Sequence, residues 1–137
     1  MLSDVFYLDR CDELAQEAAA TGNSPAGALV VYNNNIIAEA AEAATIKNDI
    51  TCHAEIEAIR RSIMIAGEID LSAYTLYSSH EPCIMCAYVI RFYRIGRVVY
   101  RNTVDCLGSV SSSVPLLTKT DVPSHWSIPP DVVQICK

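Results

Sequence analysis

Two segments carry residue types that can do chemistry: His53-Ala54-Glu55 and, thirty positions on, Pro82-Cys83-Ile84-Met85-Cys86. Cys83 and Cys86 stand three positions apart, which puts both thiols on one face of a helix's first turn. The partial positive charge of a helix N-terminus favours the thiolate, the form that binds metal. Taken alone, such a pair also suits a redox couple or two buried thiols. With His53 added, one imidazole and two thiolates make a donor set of zinc-like softness. Three protein ligands leave a fourth position for water, as catalytic zinc requires, and such water has a pKa near ~7. Glu55 follows His53 by two residues, so its side chain leaves the helix in another direction. It flanks the metal without binding it, which is the place for a proton shuttle. The alternative for all four is ordinary core packing.

The elements that must position these groups follow from periodicity. Asp4 to Ala20 reads as a helix, with Ser3 as its N-cap, Thr21-Gly22-Asn23 as its stop, and Val5, Leu8, Leu14, Ala15, Ala18 and Ala19 as its inner face. Gly27 to Val31 is a short buried strand, Asn33-Asn34-Asn35 a turn, and Ile36 to Ala38 the returning strand of a hairpin. Ala40 to Thr51 shows no period and reads as a connecting loop. A second helix runs from His53 to Ala66, with Ile56, Ile59, Ile63 and Met64 inward and Arg60 and Arg61 outward. Tyr74 to Tyr77 is a strand, Cys83 to Tyr93 a third helix, and Arg97 to Tyr100 a further strand; the Ser- and Pro-rich tail reads as loop. Alternating strands and helices predict a central sheet covered on both faces.

The bulk numbers narrow the substrate. The chain has 137 residues, which fits one domain over 1–137, and it is 51% hydrophobic and 19% charged. Its net charge of -6 gives no general attraction to a phosphate backbone or an anionic membrane. Arg91, Arg94, Arg97 and Arg101 are the one local cluster that would suit RNA, and a solvated or salt-bridged face is the plainer account of them. No segment reads as membrane-spanning, and the first residues lack the basic and apolar regions of a signal peptide, so a cytoplasmic location is expected. Six cysteines in such a chain are expected as reduced thiols or metal ligands rather than disulfides.

The pattern His-x-Glu followed by Pro-Cys-x-x-Cys is that of the zinc deaminases. His53-Ala54-Glu55-Ile56-Glu57-Ala58-Ile59, Glu81-Pro82-Cys83-Ile84-Met85-Cys86 and Pro25-Ala26-Gly27-Ala28-Leu29-Val30-Val31 resemble the cytidine deaminase-like superfamily over residues 5 to 105. The branch most resembled contains guanine deaminase, cytosine deaminase and tRNA adenosine deaminase. The resemblance implies a three-layer α/β/α sandwich around a mixed sheet of about five strands, with Zn2+ on His53, Cys83 and Cys86. It also implies hydrolytic deamination of a cyclic amidine with Glu55 as the catalytic residue, and a homodimer, for which Ala87 to Phe92 is a candidate interface.

The residues outside the metal motif choose the ring. In this branch a Gly-x-Asn-type loop carries an Asn that contacts the base, and Glu42 stands in its place here. A carboxylate only accepts hydrogen bonds, so Glu42 points to a substrate edge rich in N–H donors, unless it has another task or is a solvated loop residue. Asp105 stands where guanine deaminases place an acidic base-reading residue, against the plainer account of a solvated carboxylate. Ala54, between the metal ligand and the shuttle, is counted with the substrate contacts, as is His80. Trp126, beside His125 in the tail, is a candidate stacking lid or plain packing. Cys52 or His80 as a fourth ligand would make the zinc structural. The expected function is deamination of a free base, guanine-like first and cytosine- or triazine-like next. The alternatives are a tRNA-editing adenosine deaminase and an inactive zinc-binding partner subunit.

Overall fold

A computed structural model describes residues 2–137. Helix α1 (Asp4–Ala20) starts where the Ser3 hydroxyl accepts the Phe6 N–H at 3.2 Å and Asp4 complements the first turn. Its buried face is Tyr7, Leu8, Cys11, Leu14, Ala15 and Ala18. Val5 and Ala19, expected inward, are exposed, because the face that meets the sheet is set by Tyr7 and Cys11 rather than by the first turn.

Strands β1 (Gly27–Tyr32) and β2 (Asn35–Ala41) form an antiparallel hairpin with a register shift between Val30 and Val31. Asn33 and Asn34 take positive φ at its tip, a conformation asparagine tolerates. The expected loop from Ala40 carries regular structure in its first part: β2 runs to Ala41, and a single helical turn, α2 (Ala44–Lys47), follows. Helix α3 (Ala54–Ala66) stops at Gly67, whose φ is 71°. Glu55, Ala58 and Ser62 lie on one buried line of α3, and Met64, two residues beyond Ser62, falls opposite them. Met64 is 80% exposed, so its expected place in the core is corrected.

Strand β3 (Thr75–His80), helix α4 (Ile84–Phe92) and strand β4 (Arg97–Asn102) make a β-α-β crossover. A final strand, β5 (Asp131–Gln134), completes the order β2-β1-β3-β4-β5. β1 pairs antiparallel with β2 and β3, while β3, β4 and β5 run parallel. One face of the sheet packs on α1 through Leu29, Val31, Tyr77 and Val99. The other packs on α3 and α4, with Val30, Leu76 and Val98 against Ala58, Ile59, Ala87 and Ile90. This is the three-layer mixed α/β fold. His80 and Asn102 are register partners, so the loops after β3 and β4 leave the sheet side by side at its carboxyl edge, where open α/β sheets bind ligands. No helix among the described residues is long and apolar enough to cross a membrane.

The tail is organised by a buried cation. Arg91 of α4 is fully buried and donates to the carbonyls of Leu116, Leu117, Lys119 and Ser127. An Arg91→Met variant keeps the volume but leaves those carbonyls without their donor, at about 1–3 kcal/mol for each group that water cannot reach. We expect a loss of at least ~2 kcal/mol in urea unfolding and faster proteolysis between Val114 and Ser127. Unchanged stability would show that the tail holds itself.

Candidate metal centre and its pocket

The starts of α3 and α4 converge. His53 and Cys83 sit not in the helices but at their N-caps, with extended backbones (φ -62°, ψ 148° and φ -75°, ψ 175°) and no side-chain capping bond. Both side chains are thereby free to meet Cys86 in the first turn of α4. His53 Nδ1 lies 3.6 Å from Cys83 Sγ and 3.5 Å from Cys86 Sγ, and the two sulfurs are 3.6 Å apart. Tetrahedral zinc with ordinary bond lengths spaces its ligand atoms by about 3.6 Å (nitrogen to sulfur) and about 3.8 Å (sulfur to sulfur). The residues fit the ion.

Their electrostatics agree. Hydrogen bonding from Cys86 and His53 holds the Cys83 thiol down to about 4, against its burial. The contact with Cys83 raises His53 to about 9 and helps push Cys86 well up. Three electron-rich atoms thus share protons around one point that a cation would fill. Among the described residues the cluster able to hold a metal is His53, Cys83 and Cys86, without Cys52 or His80. Cys52 and His80 thus stand outside the cluster.

Glu55, in the first turn of α3, is buried beside the cluster, and loss of solvent raises its carboxyl to about 7. It lines a cavity of about 420 Å³ together with His53, Cys83, His80, Glu42 and Asp105, a size usual for small-molecule sites. Glu42 is buried, so the solvated-loop account of it fails. Its two oxygens lie 3.3 Å from the Ala54 N–H and 3.4 Å from the Ala44 N–H. These are long bonds, and a carboxylate has about four acceptor sites. Ala54 itself is fully buried with its N–H turned to Glu42, and it does not line the cavity. Its amide donates to Glu42 in this structure, and its side chain is not part of the cavity wall.

Asp105 is exposed on the loop after β4, at the cavity rim with Val104, Cys106 and Leu107. Trp126 does not line the cavity; its ring packs edge-on against Tyr88 at 5.3 Å, with the Arg91 guanidinium 5.6 Å above it. Of the two accounts of Trp126, stacking lid or plain packing, these contacts are those of packing of the tail on α4. The arginine cluster is also dispersed. Arg91 is buried, Arg97 pairs with Asp4 at 2.8 Å, and Arg101 is buried against Asp9 and Asp12.

Sequence reasoning assigned no task to Glu81, yet it shapes the pocket. It is buried and accepts the N–H groups of Val104, Val110 and Ser111 and the Ser111 hydroxyl. Burial pushes its carboxyl up, but these donors outweigh it and hold the group below the ordinary range. Gly108 lets the carboxylate come this close: a Cβ there would lie 2.5 Å from a Glu81 oxygen and would push it off its donors. A carboxylate directly before Pro82-Cys83 was the available signal.

A mixed sheet between helical layers thus carries a His-Cys-Cys cluster at its carboxyl edge with a buried glutamate beside it. The chain belongs to the cytidine and deoxycytidylate deaminase zinc-binding family, whose model matches residues 1–102. It is 37% identical over 98 residues to a tRNA-specific adenosine deaminase of Buchnera aphidicola, covering 72% of this chain and 60% of that protein. It is 40% identical over 95 residues to the guanine deaminase of Bacillus subtilis, covering 69% and 61%. The matched stretch thus spans about three-fifths of each of these relatives. A solved structure from work on A-to-I editing by tRNA:A34 deaminases superposes with a TM-score of 0.87 at 30% identity, covering 96% of this chain and 98% of that one.

Proposed function

We propose that this chain hydrolyses the exocyclic amine of a free heterocyclic base, a guanine-like aminopurine first and a cytosine- or triazine-like ring next, releasing ammonia. The observation that carries the reading is Glu42, a buried second carboxylate in the same cavity as Glu55. An acceptor-only wall suits a ring edge that offers N–H donors. His53, Cys83 and Cys86 hold zinc, which when bound supplies Lewis-acid activation of water at neutral pH. Glu55 takes one proton from the attacking water and passes it to the ring nitrogen beside the carbon under attack, then takes the second proton from the hydroxyl now on that carbon and gives it to the departing amine. One water enters, one ammonia leaves, and the ring keeps an oxo group. Asp105, at the rim, is the further acceptor within reach of a bound ring.

A second reading, deamination of adenosine in a tRNA, is favoured by the 37% identity to a tRNA-specific adenosine deaminase and by the 0.87 superposition. The net charge of -6 and the engagement of Arg91, Arg97 and Arg101 inside the chain weigh against it. Ammonia release across amino-substituted purines, pyrimidines and triazines, beside inosine formation in an anticodon stem-loop, separates them. We expect the aminopurine to react and the stem-loop to be inert; an edited stem-loop with inert free bases reverses the order. Zinc-loaded chain that releases ammonia from neither would make it an inactive partner subunit. Exposed Tyr88 and Phe92 on α4 support this helix as the face of a homodimer.

A further inference from the structure

His80 lines the cavity, and its two ring nitrogens are not equivalent. Ser79 Oγ lies 3.0 Å from the Gly27 nitrogen and 2.9 Å from His80 Nδ1. The Gly27 amide can only donate, so the hydroxyl oxygen accepts there. Ser79 is buried, with 1% exposed, and a buried hydroxyl proton needs an acceptor inside the protein. Among the described residues His80 Nδ1 is the acceptor at hand. Nδ1 therefore takes the Ser79 proton, and a neutral ring must carry its own proton on Nε2. Burial of His80 lowers its pKa, which keeps the ring neutral. No described residue bonds to Nε2.

The relay begins in the backbone. Gly27 is pressed against α1: a Cβ there would lie 2.4 Å from the Cys11 carbonyl oxygen and 2.5 Å from Leu14 Cβ. That close approach fixes the strand start whose amide orients Ser79.

We propose that His80 is a specificity residue that offers an Nε2–H donor to the pocket, set by the Gly27–Ser79 relay, so that the ring bound must carry a lone-pair acceptor facing His80 as well as an N–H donor facing Glu42. This rests on the free-base reading above. Ser79 and Gly27 are positioning residues. The donor wall excludes rings that show only C–H there, because the buried N–H would then lose its partner.

Two measurements test it. The first uses zinc-loaded chain with 15N-labelled histidine, with His80→Phe to assign the signals. We expect two-bond proton–nitrogen correlations to show His80 protonated on Nε2 alone at pH 7 and the two tautomers mixed in Ser79→Ala. Protonation on Nδ1, or on both nitrogens, overturns the proposal. The second compares the best base with analogues in which one ring nitrogen at a time is replaced by C–H. For one analogue the wild type is expected to lose at least tenfold in kcat/KM, carried by KM. His80→Phe should lose the same on the parent base and nothing further on that analogue. Equal losses for His80→Phe on the parent and every analogue overturn the proposal and leave the free-base reading standing. Inert free bases throughout overturn the free-base reading and the selection step with it, whichever tautomer the first measurement finds.

Discussion

Glu55→Gln is expected to hold one zinc per chain and to lose deamination by about 10²–10⁴-fold in kcat, the usual contribution of a positioned proton carrier. The two side chains have the same shape, and Glu55 is not in the ligand cluster, so the metal and the cavity survive the change. The amide has no basic oxygen able to take a proton from water and hand it to a ring nitrogen. Folding should not suffer. In the metal-free chain burial raises the Glu55 carboxyl to about 7, above its unfolded value. The stability this contributes is complete below the unfolded pKa and is lost as pH rises through about 7. The amide does not titrate, so metal-free Glu55→Gln should lose less stability than metal-free wild type between pH 5 and pH 8, read from urea midpoints. Zinc content by elemental analysis and ammonia release by coupled assay complete the test. Activity within tenfold of wild type would remove Glu55 from the reaction.

Cys86→Ala should have the other large effect. Cys86 is fully buried, and its sulfur stands 3.5 Å from His53 Nδ1 and 3.6 Å from Cys83 Sγ, so no surface group can take its place without moving α4. We expect zinc to fall below about a tenth of an equivalent and activity by about 10³-fold or more, since two ligands seldom retain the ion against dialysis. A ligand that binds only the folded state stabilises it. A chelator should therefore lower the wild-type melting temperature and leave that of Cys86→Ala unmoved. Full zinc occupancy in the variant would place the metal elsewhere.

How much could be read from residue order differs from element to element. The metal ligands and Glu55 were legible because their types and spacing serve one chemistry, and the hairpin and α3 because their periods are clean. Strand β5 was missed: Asp131 to Gln134 is four residues long, follows Pro129-Pro130, and places only Val132 and Val133 half-buried, too little pattern to tell from loop. The tail looked structureless because its order comes from Arg91, a residue of α4 that lies 25 to 36 positions away along the chain. Arginine in a helix ordinarily signals solvent, and nothing local marks it as a buried anchor. Trp126 was drawn toward the pocket by its chemistry, whereas its place is decided by Tyr88 and that same arginine. Glu42 could be singled out by position, but its burial comes with contacts to the starts of α2 and α3, through the Ala44 and Ala54 amides, which no local pattern shows.

The three backbone amides gathered on Glu81 have a bearing on how this pocket can be retuned. The main chain of the rim is tied to the residue two places before Cys83, so lengthening or shortening the loop between Val104 and Ser111 would strain the ligand itself. Exchanging side chains at Asp105, Cys106 or Leu107, all exposed on a backbone held from behind, leaves that attachment alone. Libraries seeking a new ring preference should therefore vary those three positions at constant length and keep Glu81 and Gly108 fixed.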